Sequence, residues 1–130
     1  MVAPVIPALN DHEIERILEA AAAAGAQSAG YVLLRLPHEL KDLVRDWLTE
    51  HYPDKRKHVF SIVRDARGGK ENDSAWGRRM TGAGPYAQMI GRRFDAACRR
   101  LGLNQNRAPL RTDLFAPPAR TGGIKQLSLF

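Results

Sequence analysis

The sequence predicts an α/β fold: about two parallel strands, then a mostly helical extension and a flexible tail. Three observations carry this. Apolar runs stand at Met1–Pro7 and Gly30–Leu36. An alanine-rich helical pattern lies between them, the connection that parallel strands require. After residue 53 the chain reads as helix and loop. A parallel strand needs neighbours on both edges and cover on both faces, so the expectation is a piece of a larger α/β body.

The opening run, Met-Val-Ala-Pro-Val-Ile-Pro, contains Pro4 and Pro7. Neither can donate to a ladder, which places them at strand ends or on an edge. Asn10 and Glu13 have the spacing of a capping box, and Asp11, Glu13 and Glu15 put negative charge where a helix dipole favours it. Ile14, Ile17, Leu18, Ala21 and Ala22 then recur at helical spacing, and Gly25 is the expected stop. Tyr31-Val32-Leu33-Leu34 is the second strand, with Arg35 near its end. An arginine at the carboxyl end of a parallel strand sits at the ligand-binding edge of a sheet or barrel; the alternative is a solvent-facing side chain.

Pro37 stands where helices begin. Leu40, Leu43, Val44, Trp47 and Leu48 form an amphipathic pattern ending near Tyr52-Pro53. A third helix is expected over Asp54–Arg67, with Val59, Ile62, Val63 and Ala66 on one face. Lys55, Arg56 and Lys57 in its first turn oppose the helix dipole; a bound anion would relieve this conflict, and a frayed, solvated turn is the alternative. Gly68-Gly69 ends the helix, and Lys70–Gly84 is a long polar loop without periodicity, a type that is often functional. A fourth helix is expected over Pro85–Leu101, with Tyr86, Ile90, Phe94, Ala97, Cys98 and Leu101 facing one way. Arg92, Arg93, Arg99 and Arg100 lie mostly opposite, and Gly102 stops the helix. Leu110–Phe115 reads as a short strand or packed extended segment. Pro117-Pro118 and Gly122-Gly123 mark the tail. The expected boundaries are thus 1–53 for the strand-bearing part, 54–115 for the helical extension and 116–130 for the tail.

The formal net charge is +6, and its distribution is one-sided. Residues 1–75 carry 10 Lys/Arg and 12 Asp/Glu, a net −2, whereas residues 76–130 carry 10 and 2, a net +8. Nearly all the later cations are arginine, which suits phosphate better than lysine does. A polyanion surface is one reading; a solvated basic face is the other. The lone cysteine, Cys98, excludes an internal disulfide and suits a reducing cytoplasm. No apolar run approaches the ~20 residues of a membrane span, and no basic region precedes the first apolar residues as in a signal peptide. His12, His38, His51 and His58 show no metal-ligand spacing, so no metal site is expected. A nucleophile elbow and a P-loop are also missing from the sequence.

Gln126-Leu127-Ser128-Leu129-Phe130 follows the proline- and glycine-rich tether. It resembles the short peptide that bacterial DNA polymerases and repair proteins dock on the sliding clamp, in which Gln, Leu, Leu and Phe fill subsites of an apolar groove. A tail folded back on its own domain is the alternative.

Three further stretches resemble one family. Ala3-Pro4-Val5-Ile6-Pro7-Ala8-Leu9-Asn10-Asp11-His12-Glu13 is similar to a late strand and loop of the radical SAM barrel, with Ala8 where glycine is usual. Tyr31-Val32-Leu33-Leu34-Arg35-Leu36-Pro37 is similar to the following strand. Arg67-Gly68-Gly69-Lys70 through Gly82-Ala83-Gly84-Pro85-Tyr86, ending in Arg99-Arg100-Leu101-Gly102-Leu103, resembles the C-terminal extension of a bacterial radical SAM subfamily similar to spore photoproduct lyase and described as DNA repair photolyase-like. The closing Gln-Leu-Ser-Leu-Phe also recurs there. The resemblance implies the C-terminal fragment of a (β/α) barrel. In the intact relative, three cysteines hold a 4Fe-4S cluster that binds S-adenosylmethionine; Val5, Ile6 and Arg35 would lie at its cofactor edge. One cysteine cannot supply such a ligand set, so this chain alone is expected to bind neither cofactor nor cluster and to be inactive. The second expectation is a non-enzymatic DNA-associated module. Its Arg92, Arg93, Arg99 and Arg100 would contact phosphate, and its Gln126–Phe130 the clamp.

Overall fold

Alternation along one short strand decides the layering. Successive strand side chains point to opposite faces, and Leu33 enters one core while Leu34 enters another. The computed structural model describes residues 1–105 and 112–116. In it, β1 (Val2–Val5) pairs in parallel with β2 (Tyr31–Leu33), with Val2 opposite Tyr31 and Val5 opposite Leu33 across an irregular register. Between them run a 3-10 turn (Asp11–Glu13) and α1 (Ile14–Ala23). α2 (Leu40–His51), α3 (Pro53–Asp65) and α4 (Gly84–Arg100) follow. Among the described residues no helix is long and apolar enough to cross a membrane.

The first core joins Val2, Val5 and Leu33 to Ile14 and Leu18 of α1 and to Ile90, Phe94 and Ala97 of α4. Tyr31 packs beside it, its ring 4.8 Å from that of Phe94. The second core joins Leu34 and Leu36 to Leu48 of α2 and to Val59, Phe60 and Val63 of α3. Helices therefore cover both faces, as a parallel sheet demands. Ala66, just past α3, belongs to the first core, so residues beyond position 53 contribute to both cores.

Several expectations change in detail. The strands are shorter than the apolar runs, and Pro4 lies inside β1 after a cis Ala3–Pro4 bond. The capping box does not form. The Asn10 side chain instead accepts from the Ile6 N–H (2.7 Å) and donates to the Pro4 carbonyl (3.1 Å), stitching the strand–helix turn. α1 buries a narrower stripe than its pattern implies, since Ile17 is exposed. On α2 the outward drift is larger: Leu48 is buried and Val44 half-buried, but Leu40, Leu43 and Trp47 are exposed. Trp47 packs on Tyr52, with ring centroids 5.3 Å apart, rather than into the core. The described part of the expected strand at Leu110–Phe115 is a turn, with the Phe115 N–H donating to the Thr112 carbonyl and Leu114 and Phe115 exposed.

Asn104 supplies a long-range tie the sequence did not announce. Its side chain pairs both backbone groups of Ala29, at 2.9 and 3.0 Å, fixing the approach to β2 against the end of α4.

Candidate functional site

Parallel strands present ligands at their carboxyl ends. Here those ends are adjacent, since the Leu34 N–H donates to the Val5 carbonyl at 2.9 Å. Val5 itself is buried in the first core. Ile6 packs on the second core, and its N–H is taken by Asn10. Their side chains and these backbone groups are thus engaged internally. Arg35 is half-buried at the same edge. One guanidinium nitrogen reaches the Met80 Sδ at 3.9 Å, while Nε is buried without a partner among the described residues.

Beside it stands a residue that the sequence reading did not single out as a site. Arg67, 2% exposed, donates from Nη2 to the carbonyls of Leu33 (3.1 Å) and Leu34 (3.0 Å). Its Nη1 donates to Arg78 (2.9 Å) and Arg79 (3.0 Å) carbonyls. A buried charge normally needs a counter-ion or dense hydrogen bonding, and four carbonyl dipoles serve here. Burial pushes the guanidinium below its usual value; the nearby Arg35 charge adds to this and Asp73 opposes it. Arg67 therefore seals the outer edge of β2 to the loop after α3, and the Leu33 N–H completes the seal on the Met80 carbonyl at 2.9 Å. A signal was present: Arg67 falls four residues after Val63 and eight after Val59, on the apolar stripe.

The four arginines of α4 do not form one open face. Arg93 meets Glu15 of α1 through Nε–Oε1 (2.8 Å) and Nη2–Oε2 (2.7 Å) and also donates to the Asp11 carbonyl (3.0 Å). Arg100 pairs with Glu19 at 2.8 Å. The Arg93 hydrogen bond holds the Glu15 carboxyl below the usual carboxylate range, and Glu15 in turn raises Arg93. Next to this pair the Tyr86 hydroxyl donates to Asp11 Oδ2 (2.7 Å) and accepts from the Ala8 N–H (3.1 Å). Arg92 and Arg99 are exposed, with no ion pair among the described residues. The pattern of basic residues alone did not separate these two pairs, because the deciding acids lie on α1, far off in sequence.

Cys98 is buried in the first core, where burial and then the Asp95 charge push its thiol up. A lone, buried thiol does not fit an iron–sulfur cluster, which needs several thiolates. Gln126–Phe130 lie outside the described residues. Comparison with protein-family models, with curated proteins and with solved structures found no match.

Proposed function

We propose that this chain is the C-terminal, cluster-free region of a radical SAM protein related to DNA-repair lyases, and that it is not catalytic alone. The resemblance of its two strands and extension to that subfamily motivates this reading. The observation that carries it is Arg35: a guanidinium at the joined carboxyl ends of two parallel strands, with a buried Nε that has no partner among the described residues. Such an edge is where α/β bodies hold ligands. The extension lies against the outer edge of β2 through Arg67 and Met80. Anaerobic reconstitution with iron and sulfide tests the reading. The chain alone should take up no stoichiometric cluster, and a stable one would discard the assignment.

A second reading is favoured by Arg92 and Arg99, which are exposed, seven residues apart on α4 and without carboxylate partners among the described residues. In it the chain is a DNA-associated module with phosphate contacts from these arginines and clamp docking through Gln126–Phe130. Deleting Gln126–Phe130 should abolish retention on the sliding clamp, and unchanged retention would remove that part of the reading.

A further inference from the structure

On the α2–α3 side of the sheet lies a cavity of about 210 Å³ lined by Arg45, Arg56, Lys57, Phe60 and Arg64. Four of these five carry positive charge. Arg45 and Arg64 flank the ring of Phe60 at 5.4 and 5.9 Å from its centroid, a contact that fixes guanidinium orientation. A carboxylate already rests on this wall. Glu71 accepts from Arg64 at 2.9 Å and from Arg45 at 3.3 Å. The Arg64 hydrogen bond first, and the Arg45 charge after it, hold Glu71 below the usual carboxylate range. Arg45 is further tied to Asp42 at 2.6 Å.

Arg56 and Lys57 have no ion pair among the described residues. Arg56 closes the first turn of a 13-residue helix, which also carries Asp54, and Lys57 follows it; a cation in that turn is disfavoured by the dipole. Two unneutralised cations therefore face two guanidiniums that already hold an oxyanion. We propose that this cavity binds a phosphate group, which contacts Arg56 and Lys57 and displaces Glu71 from Arg45 and Arg64. Arginine forks match phosphate oxygens; a free phosphate or monoester carries more charge than the carboxylate it replaces, and a backbone phosphodiester matches it and brings neighbouring phosphates. The carrier is a free phosphate compound or a nucleic-acid backbone. The cavity is separate from Arg35 and from the α4 arginines, so its failure leaves the proposed function standing.

Titration calorimetry of the full chain with inorganic pyrophosphate tests this. Saturable binding is expected, weakened about tenfold or more by Arg56→Ala with Lys57→Ala, the loss of two charge-assisted contacts. Neither side chain makes an ion pair among the described residues and alanine favours helix, so the unfolding temperature should not fall. Glu71→Gln should tighten binding several-fold by removing the resident competitor. No pyrophosphate binding, or equal affinity in the double variant, would overturn the site. Weaker binding by Glu71→Gln would overturn the displacement. A short DNA duplex that competes with pyrophosphate identifies nucleic acid as carrier, and one that does not identifies a small phosphate compound.

Discussion

Arg93 on α4 and Glu15 on α1 meet in a two-pronged ion pair, with both contacts between 2.7 and 2.8 Å. The pair ties α4 to α1, as Arg100 does through Glu19, across the two helices that share the first core. Each partner is only partly exposed, at 31%. A double-mutant cycle with Arg93→Ala and Glu15→Ala should give a coupling of about 1 kcal/mol, near the top of the range for exposed pairs. The folded-state pKa of Glu15 is depressed. Its stabilisation should therefore be fully present above the unfolded carboxylate value, about 4.3, and be lost as pH falls through the lower folded value. Urea unfolding across that window measures it; coupling that did not decline with acid would contradict the assignment.

Arg67 should be the least replaceable charged residue among those described. Arg67→Ala would strip four carbonyls of a donor, two of them on Leu33 and Leu34. A loss of about 3 kcal/mol or more in urea unfolding is expected from breaking a buried, multiply bonded charge. Arg67→Lys should not restore it, because a point ammonium cannot span four carbonyls as a planar fork does. Wild-type stability in Arg67→Lys would show that charge rather than geometry matters.

Two glycines in the left-handed region should respond differently to alanine. At Gly82 (φ +77) an added Cβ would stand 3.1 Å from both the Ala66 carbonyl and Leu33 Cδ2, whereas at Gly69 (φ +85) it would meet nothing. Gly69→Ala should cost roughly 1–2 kcal/mol from conformation alone. Gly82→Ala should cost more, since the loop must also move off β2. Equal losses would mean that this packing is loose.

Arg92 and Arg99 should govern any DNA binding by α4. Each phosphate neutralised contributes about −0.9 to the log–log salt slope, so Arg92→Ala with Arg99→Ala should flatten the slope by about two such steps. Arg93→Ala with Arg100→Ala should instead lower stability, since those side chains hold Glu15 and Glu19. The same slope for both double variants would remove α4 from the binding surface.

Local patterns carried much of the architecture into the sequence. The α1 stripe at Ile14 and Leu18, the glycine stops at Gly25 and Gly102, and the apolar face of α4 are short-range signals, and the structure follows them. What stayed hidden depends on partners distant in sequence. Asn10 had the look of a cap but bonds back to Pro4 and Ile6. The α4 arginines read as one set until Glu15 and Glu19 divided them. The cationic run at the start of α3 read as a local conflict, and only the arrival of Arg45, Arg64 and Glu71 shows Arg56 and Lys57 lining a cavity.

The reading of this chain as the cluster-free end of a larger radical SAM body is tested most directly by iron and sulfide content after anaerobic reconstitution. Residues 1–130 would be compared with the same residues joined in frame to whatever coding sequence precedes Met1. The account predicts a 4Fe-4S cluster on the longer polypeptide and none on residues 1–130. A stoichiometric cluster on residues 1–130, or none on the longer polypeptide, would contradict it.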